Sequence, residues 1–191
     1  MDVIVSAVAL VLLLPLMAII ASAVRLTDGG PVLYRQTRVG LDRRRFTIIK
    51  FRSMREDAEQ HLGAIWSVPG DPRCTRIGHY LRRYGLDELP QLWNILRGDM
   101  SLVGPRPERP EFTREFRNEH ANYDLRLRVR SGLTGYAPVH GWRGYTSIEE
   151  RLGHDLYYVR NWSLRLDFYV LLLTLTRGWS ERTRIGTRTE V

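Results

Sequence analysis

The hydrophobic pattern is most uneven at the start of the chain. No charged residue occurs between Val3 and Val24. As a helix these 22 residues reach about 33 Å, enough for a ~30 Å hydrocarbon core. Pro15 sits in mid-run, where it removes a hydrogen bond and crowds the preceding turn, so a kink is predicted there. Each half is then ~15–18 Å long, too short to span alone. A helix–break–helix entering and leaving by one membrane face fits, and so does a kinked spanning helix. A buried core helix is the plain alternative. A cleaved signal peptide fits poorly, because Asp2 precedes the run and no basic segment does.

Asp28-Gly29-Gly30-Pro31 then reads as a turn cluster. The spans 31–36 and 46–51 read as two short strands around a basic hairpin loop, VGLDRRR. Ser53 to Leu62 is predicted helical, with Glu56, Asp57 and Glu59 on a solvated face and His61 on the surface. A helix is predicted to start at Asp71-Pro72, with an acid at the N-cap and proline at the first position. Ile77, Tyr80, Leu81 and Tyr84 form its apolar face, and Gly85 stops it. A second helix begins at Asp87-Glu88, with Leu89, Leu92, Trp93 and Leu96 on one face and Gly98 at its end. Pro90 fits only in a first turn, whose N–H groups lack intrahelical partners.

Residues 108–123 are predicted helical after Pro110, and 123–129 continue with a basic face of Arg126, Arg128 and Arg130. Glycines mark tight loops in SGLTGYAPVHGWRG, where glycine lets a ligand approach backbone. Ser163 caps a last helix of ~12 apolar residues, too short to span. Trp162, Tyr169 and Trp179 are types that favour a membrane interface. Asp167 inside that helix needs a partner, a structural arginine or the active site, because an unpaired buried charge is costly. The tail from Arg177 is polar, basic and predicted loose. There is no repeat, low-complexity tract or linker, so one domain is expected.

Charge changes the picture. The formal net charge is +8, and of 29 basic residues only Lys50 is lysine. That balance suits anionic partners: nucleic acid, an anionic membrane, or phosphorylated substrates. Arg43, Arg44 and Arg45 could each gain about 1 kcal/mol on anionic headgroups, or form a solvated loop. Cys74 is the only cysteine, which excludes an intrachain disulfide and a cysteine-based zinc site.

The candidate chemistry gathers between Asp71 and Pro107. Asp87 and Glu88 sit at a predicted helix start, where the dipole and free N–H groups favour ionised carboxylates. An ordinary N-cap with a first-turn acid is the bland reading. Pro105 and Pro107 hold the backbone at Arg106 extended, and a rigid guanidinium suits bidentate capture of phosphate or carboxylate. Lys50 offers a compact ammonium for a phosphate or a catalytic carboxylate, or else it is an exposed strand-end lysine. No P-loop, GxGxxG or GxSxG string competes.

The run LDELPQLWNILRGDMSLVGPRP closely resembles the core of the bacterial sugar transferase family, the monotopic polyprenyl-phosphate phosphoglycosyl transferases. GPVLYRQTRVG and KFRSM resemble its opening segment and the run from Ser147 its closing one, so the likeness covers nearly the whole chain. In the glycine-rich loop Thr134, Gly135, Ala137, Gly141 and Arg143 match the family pattern, while Ser131, Tyr136, Pro138 and His140 depart from it. Those departures lie where the family shapes its donor pocket and leave the sugar open. WRGYTS resembles members that transfer glucose or galactose phosphate.

The resemblance implies an α+β fold: a mostly helical domain with a short hairpin, interfacial amphipathic helices and a re-entrant, proline-broken membrane helix. Its expected parts are residues 1–25 in the membrane, 26–180 as the catalytic domain and 181–191 as a flexible basic tail. It also implies transfer of a phosphosugar from a UDP-sugar to polyprenyl (undecaprenyl) phosphate with release of UMP, in exopolysaccharide or glycan assembly. Asp87 would be a covalent nucleophile and Glu88 a ligand of Mg²⁺ or Mn²⁺, with Asp87 beside it. Arg82, Arg106, Arg143 and Lys50 are the implied phosphate clamps, and Asp167 matches a family carboxylate of underived role. The implied setting is the cytoplasmic face of the bacterial inner membrane, with the lipid bilayer as partner, no nucleic acid, and a homodimer as a candidate assembly. Two other readings stay open. One is direct single displacement with the dyad as base and metal ligand. The other is a basic membrane-associated binding module without chemistry, which leaves Asp87-Glu88 unexplained.

Overall fold

The computed structural model describes residues 1–59, 65–66, 70–144 and 146–184, with side chains for all of these except 28 and 177–184. The chain begins with one long helix, α1 (Asp2–Asp28), in which Pro15 lies inside unbroken helical backbone. The expected break into two helices is therefore not seen. Proline deletes one hydrogen bond, and the bonds around it keep the helix continuous. One side of α1 packs on the rest of the protein: Ala9, Leu10 and Leu13 on the main core, Ile20 and Val24 with Phe51 and Leu81. The remainder is bare hydrocarbon; Ile4, Val11 and Leu12 are all more than 70% exposed. Each such side chain left in water forgoes about 1.5–3 kcal/mol, which is the physical case for an apolar surround.

A hairpin follows, β1 (Leu33–Val39) antiparallel to β2 (Arg45–Phe51), with Tyr34 opposite Lys50. Its loop turns through Asp42 and Arg43 at positive φ. Residues 53–59 do not form the expected helix. Arg55 N–H donates to the Arg73 carbonyl and Met54 bridges Cys74, so this stretch is drawn against 71–75 instead. His61 lies outside the described residues.

That pairing also delays α2 (Arg76–Tyr84) past its expected start. The Asp71 carboxylate is taken up by the Arg73 N–H, Nε and Nη2 at 3.0, 2.8 and 2.6 Å, and Thr75 caps the helix through Gly78 N–H. Leu81 is buried and Ile77 half-buried, but Tyr80 and Tyr84 are exposed, so only half of the predicted face faces inward. Gly85, at φ 69°, ends α2 as predicted; the left-handed region is where glycine replaces other residues cheaply.

A 3₁₀ turn over Leu86–Glu88 leads into α3 (Gln91–Leu96). Its buried residues are Gln91, Leu92, Asn94 and Ile95, whereas Trp93 is 48% exposed, so the inner stripe is rotated from the predicted one. Two strands that the pattern did not show, β3 (Ser101–Val103) and β4 (Gly132–Thr134), then pair in parallel. A Cβ on Gly104 would stand 2.3 Å from the Arg130 carbonyl oxygen, and one on Gly132 2.1 Å from Gly104 N. These glycines serve close approach, as expected, but the approaching partner is the protein's own backbone.

The remaining helices are α4 (Pro110–Glu119), α5 (Tyr136–Val139), α6 (Ile148–Arg160) and α7 (Leu164–Arg184). A 3₁₀ segment, Tyr123–Arg128, precedes β4. Ser163 Oγ accepts from Leu166 N–H as the cap of α7. At 21 residues that helix outruns its predicted ~12 and continues into the region expected to be tail, since no proline stops it. Trp162 and Tyr169 are exposed. The Trp179 side chain and residues 185–191 lie outside the description. Ile48, Ile95, Met100, Val103, Val139, Tyr158 and Val170 make the central core, so α3, β2, β3 and α7 meet at one point. This is an α+β architecture of many helices and two small sheets.

Candidate active site

The site grows from the corner between α2 and α3. Glu88 N–H donates to the Gly85 carbonyl and Leu89 N–H to that of Leu86, so Asp87 and Glu88 ride on a 3₁₀ turn. Neither caps an α-helix as the sequence predicted, because Leu86 already begins the turn. The charge state of Glu88 is instead set by side chains from two other segments.

Lys50, at the end of β2, places Nζ 2.9 Å from Glu88 Oε1. Arg106 brings Nη2 to 2.5 Å from the same oxygen and Nη1 to 3.5 Å from Oε2. Burial raises the proton affinity of Glu88, but Arg106 and Lys50 outweigh it and hold the carboxyl well below its usual range. Lys50 itself is lowered, by burial against the pull of Glu88. Asp87 is 7% exposed and accepts no hydrogen bond among the described residues. Burial, then the Glu88 charge, pushes its carboxyl up, while Lys50, Arg82 and Arg106 pull it down. The corner thus sets three cations against two carboxylates, a surplus that suits a phosphate group.

Arg82 enters this field from the last turn of α2. Arg143 follows α5 and is not among the charges that act most strongly on Asp87 or Glu88. Asp167 is not among the charges that act most strongly on Asp87 or Glu88; the Tyr158 hydroxyl donates to its Oδ1 at 2.7 Å and also lies 3.1 Å from the Val103 carbonyl. It is held by a tyrosine hydroxyl and not by the expected arginine. Burial raises its proton affinity.

Several residues that hold the corner were not singled out from the sequence. Arg126, read as part of a basic face, is only 2% exposed. Its Nη2 donates to the Arg106 carbonyl at 2.8 Å, its Nε to Asp155 at 2.8 Å and its Nη1 to the Tyr123 hydroxyl at 3.1 Å. Arg38 Nη1 donates to the Pro107 carbonyl at 3.1 Å, and Val39 N–H to that of Glu108 at 2.9 Å. The proline-stiffened segment is therefore fixed at Arg106 itself and at the two residues after it. Asn94 accepts from Ile49 N–H at 3.1 Å and donates to the Thr47 carbonyl at 2.7 Å, which locks β2 beside α3 one residue before Lys50. Gln91 is also buried, and its Nε2 has no hydrogen-bond partner among the described residues. The three-residue spacing of Glu88, Gln91 and Asn94 was the available signal: a polar stripe inside an apolar helix.

The bacterial sugar transferase profile matches residues 1–181. The chain is 41% identical over 186 residues to a UDP-glucose:undecaprenyl-phosphate glucose-1-phosphate transferase of Klebsiella pneumoniae, covering 95% of this chain and 40% of the relative. It is 43% identical to a UDP-N-acetylgalactosamine-undecaprenyl-phosphate N-acetylgalactosaminephosphotransferase of Aeromonas hydrophila, covering 92% and 42%. A UDP-glucose:undecaprenyl-phosphate glucose-1-phosphate transferase of Caulobacter vibrioides is 42% identical, with 92% and 67% covered. The chain thus spans about 40% of the length of the first two of these relatives. A profile match over residues 1–181, with relatives 41–43% identical over more than nine-tenths of its length, makes this chain a member of the bacterial sugar transferase family.

Proposed function

We propose that this chain transfers a sugar-1-phosphate from a UDP-sugar to polyprenyl phosphate and releases UMP. The observation that carries the reading is Glu88 clamped by Lys50 and Arg106 with the unbonded carboxylate of Asp87 beside it. Asp87 attacks the phosphorus that bears the sugar; the bond from that phosphorus to the bridging oxygen breaks, and UMP leaves with its electron pair. Lys50, Arg82 and Arg106 hold the phosphate oxygens and offset the repulsion between carboxylate and pyrophosphate. An oxygen of polyprenyl phosphate then attacks the acyl-phosphate, frees Asp87 and leaves polyprenyl-diphosphate-sugar.

A divalent cation, Mg²⁺ or Mn²⁺, fits the donor set. Glu88 Oε2 has only a long contact to Arg106, and Asp87 has none. No group of three ligating side chains occurs among the described residues, so substrate oxygens and water would complete the shell. When bound, the ion would neutralise pyrophosphate charge. Single displacement is favoured by the burial of Asp87 beside Glu88, which raises its proton affinity and suits a base.

We place α1 in the cytoplasmic membrane, with the corner on the cytoplasmic side. Its exposed hydrocarbon, its length and its lack of charge from Val3 to Val24 support burial in lipid. The unbroken helix is long enough to cross the bilayer, so a cysteine added beside Met1 should label from the outer side, and its protection there would refute a crossing. The function is tested with donor alone. Covalent catalysis releases up to one UMP per enzyme and leaves a phosphosugar on a peptide containing Asp87. Turnover with both substrates but no donor-only adduct establishes single displacement. No UMP under any condition leaves only a binding module.

A further inference from the structure

A cleft of about 480 Å³ opens between β1 and the start of α4, lined by Tyr34, Gln36, Glu59, Arg109 and Glu111 among others. Its size falls within the range of small-molecule pockets. It adjoins the corner on two counts. Tyr34 is directly opposite Lys50 in the hairpin, and cross-strand partners share a face. Arg109 lies three residues beyond Arg106 on the strand that Arg38 fixes through the Pro107 carbonyl.

We propose that this cleft is the nucleoside subsite and holds the uridine half of the donor, an inference that rests on the transferase reading above. The leaving group of that reaction needs a seat beside the phosphate clamps, outside the space of the attacking carboxylate. The lining has the chemistry for it. Tyr34 is 39% exposed and presents an aromatic ring on which a planar base can stack. Gln36 Oε1 accepts from Arg38 Nη2 at 2.6 Å and its amide also reaches the Tyr34 side chain, which leaves one Gln36 amide N–H to donate to a pyrimidine carbonyl. Arg109 is held between Glu59 Oε1 at 2.8 Å and Glu111 Oε2 at 3.6 Å. Each carboxylate keeps lone pairs for ribose hydroxyls, the way acidic side chains recognise ribose in other nucleotide sites.

The test uses the full chain in nanodiscs, with UMP as the probe because every UDP-sugar shares it. Tyr34→Ala and Glu111→Gln are measured for UMP affinity and for both Michaelis constants. The expected result is UMP affinity down and donor KM up by about tenfold or more in Tyr34→Ala, less in Glu111→Gln. The KM for polyprenyl phosphate stays within about twofold, and Tyr34→Phe, which keeps the ring, recovers most of the UMP affinity. Unchanged UMP affinity in an enzyme that still turns over overturns the subsite and leaves the transferase reading standing. A shift in the polyprenyl phosphate KM alone overturns it in favour of the lipid phosphate. UMP that binds and is lost in Tyr34→Ala, without turnover of any donor, upholds the cleft and removes the reaction.

Discussion

Glu88 and Asp167 are both acids withdrawn from water, and the protein treats them in opposite ways. Glu88 meets two cations, so its ionised form is favoured despite burial. Asp167 meets a tyrosine hydroxyl, and burial lifts its proton affinity. Desolvation pushes both in the same direction, and the partner decides the outcome. Asp87 stands between the two cases: cations surround it, yet no donor touches it and Glu88 repels it. A chemically ready carboxylate is one whose charge is supported at a distance and whose oxygens are not engaged.

The sharpest way to break this contrast is to remove the charges at the corner. Asp87→Asn should abolish donor-only labelling and lower turnover by roughly 10³-fold or more. It should not lower the Tm at neutral pH, because it deletes a buried charge that Glu88 opposes. A large drop in Tm would mean that Asp87 is a structural residue. Chelation comes next: EDTA should remove activity and Mg²⁺ or Mn²⁺ restore it, whereas full activity in chelator would exclude a divalent ion.

Arg106→Lys keeps the charge but loses the planar fork that reaches both Glu88 oxygens. Turnover should fall about tenfold or more, equivalent to ~1.4 kcal/mol. A lysine variant with normal rates would reduce Arg106 to a turn residue. The pH profile refines the picture further. Asp87 must be ionised to attack, and its folded proton affinity is raised above the ordinary 3.8. Activity is therefore lost as pH falls through that raised value, and the acid limb of kcat/KM should lie above 3.8. A limb at or below the ordinary value would contradict the burial argument.

The smallest effect is expected at the other carboxylate. Asp167→Asn keeps an acceptor for Tyr158 and should leave turnover within about threefold, while Asp167→Ala should cost about 1–3 kcal/mol of stability. If Asp167→Asn instead abolished turnover with an unchanged Tm, the comparison would fail, because Asp167 would belong to the chemistry.

By itself the sequence determined what is local or compositional. The uncharged run before Arg25 reads directly as a long apolar helix, and the fold has one there, since length and hydropathy are sums over neighbours. The hairpin, the Gly85 stop and the Ser163 cap are also short-range preferences, and each is seen in the fold. The string from Leu86 to Pro107 named the candidate chemistry and the family. What the tertiary structure alone decided is which charges meet. Lys50 and Glu88 are 38 residues apart and Arg106 and Glu88 are 18 apart, so no periodicity links them. Arg126 read only as one member of a basic face, and it is Asp155, 29 residues away, that lets it be buried. The start of α2 moved for the same reason: pairing with a distant segment outweighed a good local cap. Propensities are worth tenths of a kcal/mol to about 1 kcal/mol per residue, and a buried ion pair broken on one side costs several. Wherever the two compete, the long-range partner wins, and that partner is absent from any window of the sequence.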